Sequence, residues 1–110
     1  MAFTAETAMD GSVATVRLEG ELDLASAPQA EGALKRLEEA EQPPERIVLD
    51  LRGVRFLDST GLRVILAADS RARRSGRHVQ VIAGPEPVHR VFRIALLDKR
   101  LDFIEVVDGS

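Results

Sequence analysis

The sequence predicts one α/β domain with the element order β-β-α-β-α-β-α-β and a mixed sheet of about five strands. Three observations lead there. Two alternating stretches near the start flank Asp10-Gly11, a hairpin signal. Further along, short apolar runs alternate with stretches whose apolar residues recur three and four apart. Prolines and glycines fall at the boundaries between them. The chain has 110 residues, enough for one sizeable core and too short for two, so a single domain over 1–110 is expected.

The elements follow in order. Residues 2–8 and 12–19 form the antiparallel pair, with Val13, Thr15 and Arg17 on one face and Ala14, Val16 and Leu18 on the other. "GELDLASAPQ" reads as a connection, and Ser26 with Gln29 has the spacing of a capping box. Pro28 suits a first turn. Ala27, Ala30, Leu34 and Leu37 then make one apolar helical stripe, ending near Ala40 before "EQPPE". "RIVLDL" (46–51) is a buried central strand, and Gly53 is placed in the link after it. A second helix fits Ser59 to Ser75, with Leu62, Ile65, Leu66 and Asp69 in line and Val64, Ala68 and Ala72 beside them. Gly76 stops it. "RHVQVIA" (77–83) is a strand, with Val79, Val81 and Ala83 facing one way. Val88, Val91, Phe92, Ala95 and Leu96 mark a third helix, and "LDFIEVV" (101–107) a last strand. Helices of this length between strands imply parallel, right-handed crossovers, with the first strand antiparallel.

Composition excludes several classes. Cysteine is absent, so neither a disulfide framework nor a thiolate site is possible, which suits a reducing compartment. The start, "MAFTAETAMDGS", has neither a basic n-region nor a long apolar run, so no secretory signal is expected. No apolar run approaches the ~20 residues of a membrane span. A net charge of −3 argues against nonspecific nucleic-acid binding by the whole domain. The one basic cluster is Arg71, Arg73, Arg74 and Arg77. It reads as a solvated helix end, because no aromatic accompanies it. No group of His, Asp and Glu has metal-ligand spacing, so neither metal nor cofactor is expected.

The informative stretch is "FLDSTGLRVIL" (56–66), where an acid and two hydroxyls sit at a strand-to-helix junction. Capping explains one of them, and Asp58 is the residue expected to do it. Ser59 would then be exposed beside a helix N-terminus that tolerates a phosphate. A catalytic serine fits poorly: Ser59 lacks the G-x-S-x-G elbow, and neither His78 nor His89 is tied to it. No Gly-Lys-Ser/Thr occurs, so a P-loop is excluded as well. No enzymatic activity is expected.

Together, "LEGELDLASAP", "IVLDLRGVRFLDSTGLRVIL" and "HVQVIAGPEPVHRVFRIALLD" resemble the STAS domains of bacterial anti-sigma factor antagonists, over essentially the whole chain. The resemblance implies a mixed sheet with helices largely on one side. It implies phosphorylation of Ser59 by an anti-sigma factor, a serine kinase of the histidine-kinase-like ATPase type. The unphosphorylated protein would hold that kinase and release a sigma factor; the phosphorylated one would let go, and a PP2C-type phosphatase would restore it. Glu21, Asp23, Leu24, Asp58, Ser59, Thr60, Gly61, Leu62 and Arg63 would lie at the partner surface, with Asp23 serving the contact and not the fold. A cytoplasmic protein, monomeric or weakly dimeric, without direct nucleic-acid contact is implied. The alternative is a STAS scaffold that does not switch, as a subunit of a signalling assembly or a lipid-transport complex. Two departures stand out. Arg63 replaces a frequent glycine, and "IALLDKRLDF" replaces a frequent Thr-Gly-Leu before the last strand.

Overall fold

The structure, a computed structural model, describes residues 3–106. The strand bounds expected at residues 2 and 107 lie outside the described residues. The elements are β1 (Thr4–Asp10), β2 (Val13–Leu22), α1 (Ala27–Glu38), β3 (Arg46–Leu57), α2 (Ser59–Arg74), β4 (His78–Ile82), α3 (Glu86–Ile94) and β5 (Asp102–Ile104). They form one five-stranded sheet in the order β1-β2-β3-β4-β5. β1 pairs antiparallel to β2, and every other pair is parallel.

The hairpin forms where Asp10-Gly11 marks it. Asp10 faces Val13, so Gly11 and Ser12 are the two loop residues. Gly11 has φ +62°, the left-handed value a tight hairpin needs at the first of its two loop positions. Alternation along β2 sends Ala14, Val16, Leu18 and Leu22 inward, where each is fully buried. They meet Ile47, Leu49 and Leu51 of β3 and Val79 and Val81 of β4 in one aliphatic core. Ala30 and Leu34 of α1, Val64, Ile65 and Ala68 of α2, and Val88 and Phe92 of α3 join the same cluster, so the helices cover one face. The opposite face carries Thr15 and Arg17 beside Val48 and Asp50. Asp50 is buried there, with Arg52 donating to it through Nε at 3.0 Å and Nη2 at 2.8 Å.

Four local expectations need correction. β2 runs on to Leu22 and β3 to Leu57, so Gly20–Leu22 and Gly53 are strand residues and not links. Register shifts between Arg17 and Glu19 and between Gly20 and Glu21 break the alternation and hide this continuation. Ser26 makes no side-chain cap; its own backbone is helical, so the expected capping box does not form. α3 stops at Ile94, and Ala95 and Leu96 lie beyond it, exposed. Asp58, in contrast, caps α2 as expected.

Candidate functional site

The extended halves of β2 and β3 end together, Leu22 opposite Leu57. The chain leaves both strands at the same end of the sheet, so the loop 23–26 and the start of α2 become neighbours. Asp58 joins them. Its N–H donates to the Leu22 carbonyl at 3.3 Å. Its Oδ1 accepts from the Gly61 N–H at 2.9 Å, satisfying one orphan donor of the first turn of α2. Its Oδ2 accepts from the Leu24 N–H at 3.2 Å, thirty-four positions earlier in the chain. One carboxylate therefore fixes two segments against each other.

Gly61 makes that approach possible. A Cβ there would stand 2.8 Å from both Leu22 Cγ and Leu57 Cδ1, and closer still to the Leu22 carbonyl oxygen. Both leucines are buried, so only hydrogen fits. The first turn of α2 rests directly on the end of β2, and Ser59 is held by that seat.

Asp23 organises the neighbouring loop. Its Oδ1 accepts from the N–H groups of Ala25 and Ser26, each at 3.1 Å. Its carbonyl accepts from Ala27 N–H at 2.8 Å, opening α1. The Ser26 hydroxyl donates to the Glu21 carbonyl at 2.7 Å and accepts from the Asp23 N–H at 2.9 Å. Asp23 thus has a structural role, contrary to the expectation that it serves only a contact. The D-x-x-S spacing was the available signal: a short acid two or three residues before free backbone donors makes an Asx turn.

What remains exposed is specific. Ser59, the first residue of α2, and Arg63, one turn on, face solvent, as does Glu21. Leu24 is 73% exposed at the tip of the Asp23 loop. Thr60 is half-buried, and Leu62 packs against the core from its edge. Leu24, Pro28, Thr60, Arg63 and Val64 border a shallow groove between α1 and α2. The nine residues singled out from the sequence thus share one end of the domain. Asp23, Asp58 and Gly61 (by having no side chain) fix the backbone, Glu21, Leu24, Ser59 and Arg63 present a surface, and Thr60 and Leu62 are partly buried beside it.

The chemistry available is that of an exposed hydroxyl and a contact surface. Among the described residues no group of His, Asp and Glu could hold a metal ion. His78 begins β4 beside Arg46, at the opposite end of β3 from Ser59. His89 lies on α3 with its ring against Phe103 at 4.8 Å. Neither hydrogen-bonds to Ser59 among the described residues, so no triad assembles.

The chain and its fold are similar to known proteins. A family model described as "Mlab, STAS domain" matches residues 5–107. An anti-sigma F factor antagonist of Paenibacillus polymyxa is 35% identical over 91 residues, 79% of this chain and 74% of that protein. An anti-sigma factor antagonist from Mycobacterium paratuberculosis superposes with a TM-score of 0.83 at 26% identity, covering 97% of this chain and 89% of that one. The Bacillus cell fate determinant SpoIIAA, in its phosphorylated form, superposes with a TM-score of 0.72 over 97% of this chain and 93% of its own. At 18% identity that last likeness is one of fold.

Proposed function

This chain belongs to the STAS domain family, and from that premise we propose that it is an anti-sigma factor antagonist switched by phosphorylation of Ser59. Residues 1–110 act as one such domain, in the cytoplasm, as a binding module and not an enzyme. With Ser59 unmodified, the surface of Glu21, Leu24, Ser59, Thr60, Leu62 and Arg63 holds an anti-sigma factor, a serine kinase of the histidine-kinase-like ATPase type. That sequesters the kinase and frees a sigma factor. Phosphorylation breaks the contact, and a PP2C-type phosphatase restores it.

The observation that carries this reading is the division of labour at the junction. Asp58 does the capping, so the Ser59 hydroxyl is left exposed on a fixed backbone beside the exposed Leu24. A phosphate on Ser59 adds about 1.5–2 negative charges at neutral pH. The N–H donors of the helix start tolerate that charge locally. Across an interface it would be desolvated or meet partner acids, and that opposes binding.

The test is incubation with the cognate kinase and ATP, followed by intact mass and phosphopeptide mapping. One phosphate on Ser59, absent from Ser59→Ala, is expected. A phosphate on Thr60 that Ser59→Ala still accepts would overturn the assignment. The second reading is a STAS scaffold that does not switch, as a subunit of a signalling assembly or a lipid-transport complex, since a STAS-domain match alone is compatible with either. Such a protein would bind its partner constitutively and accept no phosphate in the same experiment.

A further inference from the structure

Arg63 follows Ser59 by one turn of α2, and both side chains are exposed. Residues four apart on a helix are neighbours, with Cβ atoms about 5–6 Å apart. Helical side chains also lean toward the N-terminus, so a long side chain at 63 covers the turn that begins at 59. Arg71, Arg73 and Arg93 are each paired with an acid, whereas Arg63 has no ion pair among the described residues. The acids around it are engaged elsewhere or stand across a groove. Asp58 accepts from the Gly61 and Leu24 N–H groups, and Asp23 from those of its own loop. Glu31 of α1 lines the far side of the groove that Arg63 borders.

A phosphate on Ser59 would arrive beside a charge already in place. Asp58 Oδ1 holds the Gly61 N–H at 2.9 Å, and the Asp58 carbonyl holds the Leu62 N–H at 3.0 Å. The positive end of α2 is therefore shared with a carboxylate before any phosphate is added. Neighbouring anions repel, and a phosphate gains most from a cation that reaches it through more than one N–H. Arginine offers five donors in a planar fork. An anion four residues before its cation is also the favourable order along a helix.

We propose that Arg63 is the internal partner of the Ser59 phosphate, its guanidinium turning onto the phosphate once Ser59 is modified. The inference rests on the reading of Ser59 as the switch and deepens it. The unmodified surface offers Arg63 to a partner; the phosphorylated one spends it on its own phosphate. Modification then changes the surface twice, adding negative charge and withdrawing a cation, on a backbone that Asp58 and Gly61 hold fixed.

The test uses the full chain with phosphoserine placed at position 59 during translation, so that no kinase is needed. Titration by phosphorus NMR reads the second ionisation of the phosphate, which lies near pH 6 when unassisted, at about the usual phosphoserine value. A nearby cation favours the dianion and lowers that value. Arg63→Gln should raise it by about half a unit at low salt, roughly a threefold change in proton affinity, and the difference should shrink in ~0.5 M salt. Asp23, Asp58 and Glu31 are present in both proteins, so the difference isolates residue 63. Arg63→Lys, which keeps the charge without the fork, should fall between them. Thermal midpoints give a second reading. Arg63→Gln should leave the unmodified chain nearly unchanged and lower the phosphorylated one by about 2–4 °C. An equal phosphate titration in the parent and Arg63→Gln, or an equal thermal effect with and without the phosphate, overturns the proposal. A cognate anti-sigma factor that leaves Ser59 unmodified overturns the switch reading instead, and the phosphoserine measurements still decide the pair.

Discussion

Replacing Gly61 with alanine tests how the site is seated. In an open helix interior this change stabilises a protein by about 0.5–1 kcal/mol, because glycine costs more backbone entropy. Gly32 in α1 offers that ordinary case: its added Cβ would meet only the flexible end of Arg36, at 3.5 Å. Gly61 offers the opposite one. Its added Cβ would lie 2.8 Å from Leu22 Cγ and Leu57 Cδ1 and against the Leu22 carbonyl, none of which is a flexible tip. Overpacking of this kind costs about 1–3 kcal/mol. Offset by the helix gain, the net effect runs from about neutral to a loss of about 2.5 kcal/mol, or up to roughly 10 °C in the thermal midpoint of a domain this size. Gly32→Ala should instead raise the midpoint by a few degrees. Thermal melts of both variants, followed by circular dichroism, measure the contrast. Gly61→Ala should also slow phosphorylation of Ser59, since the first turn must lift from the strand to admit the methyl. A Gly61→Ala protein as stabilised as Gly32→Ala would refute the close seat on which the site is built.

Two further outcomes follow from the same contacts. Asp23→Ala should lower stability by about 1 kcal/mol in urea melts, as lost capping does, while Asp23→Asn, which keeps an acceptor, should lose less. Burial of Asp50 raises its pKa, but the hydrogen bonds from the side chain and backbone of Arg52 and the charges of Arg52 and Arg17 together hold it below the ordinary carboxylate value. Its contribution to stability is therefore full above an unfolded pKa of about 3.9 and fades as pH falls through the lower folded value. Asp50→Asn should cost about 1–2 kcal/mol at pH 7, the arginines being half-exposed and screened, and the gap to the parent should close in urea melts below about pH 4.

The parts legible in the sequence were those governed by local periodicity. Alternation in "SVATVRLEG" placed Ala14, Val16 and Leu18 inward, and helical spacing placed Ala30, Leu34, Ile65 and Ala68 on the core. The second half of β3 was not legible. "RGVRF" looks like a polar link with a glycine, yet it pairs with Glu19–Glu21 across two register shifts that no local pattern shows. Asp58 was read correctly as a cap, because capping is local; its second bond, to Leu24, depends on where two distant strands end. Asp23 was misread because its loop looked like a plain connection, although the D-x-x-S spacing already marked the Asx turn whose amides it serves. Gly61 belongs with that second bond of Asp58, since it is explained by a tertiary neighbour rather than by its place in a period.

The central claim is that a phosphate on Ser59 controls partner binding through the surface and not through the fold. Its most direct test is the affinity of the cognate anti-sigma factor for the unmodified and the Ser59-phosphorylated protein, measured by calorimetry, with amide spectra of both forms. A penalty of ~3 kcal/mol across the interface lowers affinity by about a hundredfold. That loss, with spectral changes confined to residues 57–64 and the 21–25 loop, is the predicted result. Equal affinity of the two forms, or changes spread through the whole sheet, would contradict it.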